Sequence, residues 1–227
     1  MKKIIDNIKR YERKWVFRNI NSLELVIGLL RSRLLFNFQH NKRKVNSLYF
    51  DDKNLSSIRE NLDGVSEKTK YRIRWYGNKN FISNPNFEIK KKKEFETNKK
   101  SFNFDDIDKL SFIDEKNLNY LEKLVNTRFD IKKKVFPILT THYDREYFIS
   151  NNNLIRATID YNLESRILNN RIDKNILKNY NHYITLEIKY DTNLDHYVRN
   201  NLENINNRLS KNSKFVNSAL TEPFSYS

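Results

Sequence analysis

Lys70–Tyr76, KYRIRWY, is the stretch whose reading decides the fold. Strand alternation puts Lys70, Arg72 and Arg74 on one face and Tyr71, Ile73 and Trp75 on the other. The same division recurs along the chain, in Arg10/Glu12/Lys14, Glu88/Lys90/Lys92, Arg156/Thr158/Asp160 and Glu187/Lys189. One such strand is ordinary solvated alternation. Several together are not, because a wet sheet face normally intersperses signs. Two like charges about 4 Å apart cost about 4 kcal/mol at an effective dielectric of about 20. A closed β-barrel resolves the conflict. Its apolar face packs under outer helices, and its charged face becomes a lumen. The class expected is therefore α+β, a barrel tunnel with helices outside. Such a lumen suits a chain of phosphates, since Arg forks onto phosphate oxygens and Lys supplies point charges. Its few carboxylates are suited to the divalent ion that escorts a nucleoside triphosphate.

Composition agrees. The 227 residues carry 43 Lys+Arg against 28 Asp+Glu, a formal net charge of +15. That excess calls for an anionic partner: nucleic acid, a membrane surface or a phosphate compound. Mean hydropathy is −0.82, yet 13% of residues are aromatic, enough for a core. The length fits a single domain over residues 1–227. With no Cys, disulfide and thiolate chemistry are excluded, and the four His show no metal-ligand spacing. Three glycines leave no Gly-rich phosphate loop. The longest apolar stretch, Leu23–Leu30, is broken by Glu24 and is too short for a membrane span. The N-terminus lacks the apolar region of a signal peptide, so a cytoplasmic location is expected.

The remaining pattern predicts the other elements. Met1–Ile8 reads as a short basic helix and Tyr11–Phe17 as a strand. Ser22 caps a helix over Leu23–Leu35, Val45–Phe50 is a strand, and Asn54–Leu62 is a helix capped by Asp51 or Asp52. Phe104–Asp130 reads mostly as helix. Strands follow over Thr141–Ile149, Leu154–Asp160 and Tyr183–Tyr190, then a last helix over Leu194–Leu209. His182 falls in a loop or at a strand end, and Lys91 and Lys93 form a solvated outer face.

The segments YERKWVF, VNSLYFDD, KYRIRWYG, NFEIK, LIRATID, TLEIK and the terminal SKNSK resemble, in order, the VTC polyphosphate polymerase domain, within the triphosphate tunnel (CYTH-like) group. The resemblance runs from about Arg10 to Ala219. It implies a closed antiparallel β-barrel tunnel with helices packed outside, ATP and inorganic polyphosphate as ligands, a divalent metal, manganese or else magnesium, and growth of polyphosphate by transfer of the γ-phosphoryl group with release of ADP. By the same resemblance Lys14, Arg72 and Arg74 are catalytic. Arg59, Lys90, Lys99, Arg145, Arg156, Lys189, Lys211 and Lys214 bind phosphate, and Glu187 binds the metal.

Three positions qualify the match. Arg10 stands where the wider group opens its ExExK motif with Glu, which argues against the hydrolytic members. In NKKSF, Lys99 matches the family lysine, but Ser101 replaces an arginine. Arg13, beside Lys14, leaves the first-strand register open by one residue. Phosphoryl transfer needs alignment and charge neutralisation more than a protein nucleophile, and a ring of Arg and Lys with a metal supplies both. Other classes remain: a non-catalytic polyphosphate or nucleotide binder, a tunnel triphosphatase, and a nucleic-acid binder. The last is disfavoured, because Tyr71 and Trp75, the candidate stacking rings, alternate away from the arginines. A membrane-bound partner protein is compatible with the sequence, although the chain has no span of its own.

Overall fold

The computed structural model describes residues 3–5, 10–33, 35–93, 96–104, 110–111, 114–168, 177–180, 183–202, 205 and 208–220. His182 lies outside these residues. A ten-stranded antiparallel sheet organises the chain. In chain order its strands are β1 (Lys3–Ile5), β2 (Arg10–Phe17), β3 (Asn37–Asp51), β4 (Glu67–Tyr76), β6 (Asn86–Lys93), β7 (Glu96–Asn103), β9 (Phe136–Ile149), β10 (Arg156–Ile167), β11 (Leu177–Tyr180) and β12 (Ile184–Asp191). A separate pair, β5 (Phe81–Ile82) and β8 (Leu110–Ser111), lies beside it. The helices are α1 (Ser22–Arg33), α2 (Ser56–Leu62), α3 (Glu115–Arg128), α4 (Asp195–Leu202) and α5 (Lys214–Ala219).

The neighbour order is β1-β7-β6-β4-β3-β9-β10-β12-β2, with β11 on β10. Among the described residues the sheet does not close into a barrel, and this corrects the expectation. The reason lies at the free edge of β2. Leu209 bridges Trp15, and the Ser210 N–H donates to the Lys14 carbonyl at 2.8 Å. The C-terminal segment occupies the edge that a closing strand would need. The sheet still curls, since Lys90 of β6 reaches Glu12 of β2 at 3.7 Å although five strands lie between them in the pairing order.

Alternation builds two apolar layers on the convex side. Trp15, Phe17, Ile155, Ala157, Ile159, Leu186 and Ile188 pack with Val26 and Leu30 of α1 and Val198 and Leu202 of α4. Leu48, Phe50, Ile73, Trp75, Phe87 and Ile89 pack with Leu121, Leu124 and Val125 of α3. Trp75 is fully buried, and truncating such a ring typically costs about 3–5 kcal/mol. After β4 the chain must turn sharply. Gly77 takes φ +93°, which favours glycine, and the Trp75 indole N–H donates to the Asn78 carbonyl.

Several local readings change. Residues 3–5 form strand β1 on β7 rather than a helix. Among the described residues, only Glu115–Arg128 of the expected long helix is helical, with Asp114 capping it by accepting from the Asn117 N–H. The expected last helix is shorter: Asp195–Leu202 is helical, whereas Ile205, Arg208 and Leu209 are not, and a further short helix, α5, begins at Lys214. Asp51 and Asp52 do serve the first turn of α2, accepting from the N–H groups of Ser56, Ser57 and Ile58. Ser22 is the first residue of α1 rather than its cap.

Candidate phosphate-binding cleft

The registers place the cationic residues together. Lys70 pairs Lys90 and Arg72 pairs Glu88, while Lys90 in turn pairs Lys99. Across the sheet Arg145 pairs Asp160, Arg156 pairs Lys189, Glu187 pairs Lys14 and Lys189 pairs Glu12. Antiparallel partners share a face, so these side chains all line the concave side.

One centre is Glu88. Its carboxylate accepts from Arg72 Nε at 2.6 Å and from Lys99 Nζ at 2.8 Å, and Arg74 lies 3.7 Å away. Burial would raise this carboxyl, but Arg72, Arg74 and Lys99 outweigh burial and hold it well below its ordinary range. Arg72 also donates to the Tyr49 hydroxyl at 3.3 Å. The buried Nε of Arg74 has no hydrogen-bond partner among the described residues, so Glu88 does not use up the donors of this guanidinium.

The second centre pairs two carboxylates. Lys14 Nζ bridges Glu12 at 2.5 Å and Glu187 at 3.2 Å, and Lys189 Nζ contacts Glu187 at 2.6 Å. Burial and Glu187 both raise the Glu12 carboxyl, yet Lys90, Lys14 and Lys189 bring it down to about 2. Burial likewise opposes the charge of Glu187, and Lys189, Lys14 and Arg145 keep it well below its usual range. Both carboxylates are therefore ionised at neutral pH. Arg13 points the other way, to Asp195 at 2.8 Å and to the Tyr190 hydroxyl. The geometry thus puts Lys14, not Arg13, in the cleft.

The third centre is Asp160, almost fully buried. Arg145 holds both its oxygens, at 2.5 and 2.7 Å, and Lys214 of α5 reaches one at 2.5 Å. Phe215 stacks on Tyr49 at 4.8 Å between ring centroids, and the N-cap Ser213 accepts from Lys70 Nζ at 2.9 Å. The helix α5 is thereby fixed against one part of the concave face.

Of the sequence-predicted residues, Lys14, Arg72, Arg74, Lys90, Lys99, Arg145, Lys189, Lys214 and Glu187 meet in these three centres. Arg156 shares their face but is exposed at the rim. Lys211 is exposed in the C-terminal segment, and Arg59 is exposed on α2, outside the three centres. Ser101 faces Glu88 across β6 and β7, where Lys99 supplies the cation. Tyr49 is a member that the sequence reading gave no site role, while Lys70, Glu88 and Asp160 were read as part of the charged face without an assigned ligand role. Alternation flags Glu88 and Lys70, whereas nothing in the sequence signals that Asp160 would hold α5. The described residues contain no group of three or more His, Asp or Glu able to hold a metal by themselves. No described helix is long and apolar enough to cross a membrane.

An antiparallel sheet curled around an Arg- and Lys-lined cleft, with apolar layers and helices behind it, defines an open, curled sheet fold with a cationic concave face. The chain belongs to the VTC domain family, whose model matches residues 6–221. No curated protein sequence matches it. Among solved structures it is similar to HpAC1 from Hippeastrum, a candidate adenylyl cyclase described as having a dominant triphosphatase activity. That likeness has a TM-score of 0.52 and 12% identity, covering 92% of this chain and 95% of the other. It is also similar to a candidate adenylate cyclase from Vibrio parahaemolyticus, with a TM-score of 0.46 and 9% identity, covering 87% and 86%. At such identity the Hippeastrum likeness concerns the fold.

Proposed function

We propose that the chain transfers the γ-phosphoryl group of ATP to a growing polyphosphate chain and releases ADP. The observation that carries this reading is the concave face itself. Lys14, Lys70, Arg72, Arg74, Lys90, Lys99, Arg145, Lys189 and Lys214 converge there, and among the described residues they meet only four carboxylates, Glu12, Glu88, Asp160 and Glu187. Such an excess is costly without a polyanion and favourable with one.

In the reaction, an anionic terminal oxygen of the polyphosphate attacks the γ-phosphorus. A new P–O bond forms, the bond to the β-phosphate oxygen breaks, and ADP leaves with that electron pair. The attacking oxygen carries no proton, so no general base is needed. Arg72 and Arg74 align and neutralise the transferring group, and Lys14 and Lys90 hold the acceptor end. Glu187 and Glu12 fit a divalent cation. Both are ionised hard-oxygen ligands, and magnesium- or manganese-type ions take one or two carboxylates plus substrate phosphates. When bound, such an ion, manganese in this proposal, neutralises triphosphate charge.

The test is incubation of purified protein with ATP and manganese, magnesium or cobalt, with and without a short phosphate primer. Polymer on a gel with matching ADP is the expected result. Absence of polymer under all conditions refutes the transferase. Phosphate released from tripolyphosphate in its place identifies a triphosphatase, the activity ascribed to the Hippeastrum protein. Binding without turnover identifies a polyphosphate-binding module.

A further inference from the structure

The cations of the cleft are not equally neutralised. Lys14, Arg72, Lys90, Lys99, Arg145, Lys189 and Lys214 each lie within ion-pair distance of a carboxylate. Along β4 and β6 toward α5 the carboxylates of the described residues stop. Lys70 donates to the Ser213 hydroxyl, and its charged neighbours are Lys90, Lys14, Lys68 and Arg72. One step further Lys68 pairs Lys92 in register, on the same face as Lys70. Lys211, from the segment leading to α5, acts on Lys68 as well. Among the described residues the carboxylate acting there is Glu60, and it has less effect than either lysine. Lys91 and Lys93 face the other side, where Lys93 pairs Glu67.

We propose that Lys68 and Lys92, beside Lys211 and continuous with the main cleft through Lys70, form a second anion subsite reached only by phosphate chains longer than a triphosphate. Lys68 lies four residues before Arg72, roughly 13 Å along the strand. A triphosphate seated on Arg72 and Arg74 ends short of it, whereas a longer chain runs on over Lys70 to Lys68 and Lys92. A rank of lysines without paired carboxylates among the described residues gains from each added phosphate without displacing such a partner. Inorganic polyphosphate fits better than a nucleic acid. Tyr71 faces away from this rank, and Phe215, near Lys70, is buried against Tyr49.

The inference rests on the cleft binding phosphate chains, and its test does not depend on turnover. Calorimetry at matched ionic strength compares tripolyphosphate, a linear polyphosphate several times longer, and a single-stranded oligonucleotide with the same number of phosphates. Lys68→Ala with Lys92→Ala is expected to weaken the long chain about tenfold, as the loss of about 1.4 kcal/mol, while tripolyphosphate binding changes less than about twofold. That unchanged binding also shows that the variant is folded. The Lys68→Arg with Lys92→Arg pair is expected to retain the long-chain affinity. A double Ala variant that holds the long chain like wild type overturns the subsite. So does an equal loss for both phosphate ligands, or an oligonucleotide bound as tightly and as dependent on the two lysines. Length-dependent binding in a protein that makes no polymer removes the proposed transferase reaction and supports the subsite.

Discussion

Lys70 offers a direct measurement of the charge stored in the cleft. Burial, and then Lys90, Lys14, Lys68 and Arg72, lower its ammonium from 10.5 to about 7. Among the described residues its hydrogen-bond partner is the Ser213 hydroxyl, and no carboxylate lies within ion-pair distance. The folded pKa is below the unfolded one, so between about pH 7 and 10.5 the unfolded chain binds more protons. Stability must then rise with pH across that window. The slope is at most about 1.4 kcal/mol per pH unit, and the full cost, present below pH 7, is at most about 5 kcal/mol. Solvent access at the cleft reduces this to a few kcal/mol. Lys70→Met keeps the length of the side chain and removes the charge. Its stability advantage over wild type, from urea unfolding, should grow by roughly 2 kcal/mol between pH 9 and pH 7. The constant part of the difference includes methionine packing, so the pH-dependent part is the test. Tripolyphosphate should restore the proton. At pH 8 wild type should take up close to one proton more per ligand than Lys70→Met, read by calorimetry in buffers of different ionisation enthalpy. Parallel pH curves with equal proton uptake would refute the reasoning.

Glu88→Gln removes the counter-charge of Arg72, Arg74 and Lys99 and should destabilise the free protein by about 3–5 kcal/mol in denaturant unfolding. Saturating tripolyphosphate should recover much of that loss, and no recovery would mean that the ligand does not reach Arg72. Glu187→Gln should abolish the manganese-dependent rise in melting temperature measured with ATP present, and metal-dependent turnover should fall with it. An unchanged shift would move the ligand role to Glu12. Burial, followed by Lys79, lowers the His142 ring to about 4. The folded state therefore resists protonation, and this contribution is complete above about pH 6.5 and lost as pH falls toward 4. His142→Gln should flatten the acid limb of the stability curve by up to about 3 kcal/mol, and an unaltered limb would show that His142 does not drive it.

The faces of the sheet were legible because strand alternation is a local property. KYRIRWY, NFEIK and TLEIK carry their inward and outward sides in the sequence, and the apolar halves lie under α1, α3 and α4 as the pattern requires. The closed barrel was not legible as wrong. What prevents closure is a long-range bridge between Trp15 and Leu209, and no local signal in SKNSK announces it. The short helix α5 escaped notice for the same reason. Its six residues are held by Phe215 on Tyr49 and Lys214 on Asp160, contacts made between distant parts of the chain. Arg59 shows the converse limit. Motif order placed it among the phosphate ligands, but motif order does not fix the direction of a side chain on α2, where it is exposed.

The distribution of carboxylates bears on how a polyanion could move through such a cleft. A phosphate arriving at Arg72 competes with Glu88, and one arriving at Lys14 competes with Glu12 and Glu187. The net gain there is a difference between two ion pairs in the same surroundings, well below the full Coulomb attraction. Under the proposed function, each central position would be attractive enough to orient a phosphate and weak enough to release it to the next. Beyond Lys70 the competing carboxylates of the described residues end, and the gain per phosphate is no longer offset. A chain shifting by one unit would be drawn toward Lys68 and Lys92 while the central arginines are freed for the next triphosphate. The same asymmetry leaves Lys70 strongly repelled by its neighbours in the empty protein, so the cost measured in its pH dependence and the pull on a long chain have one origin.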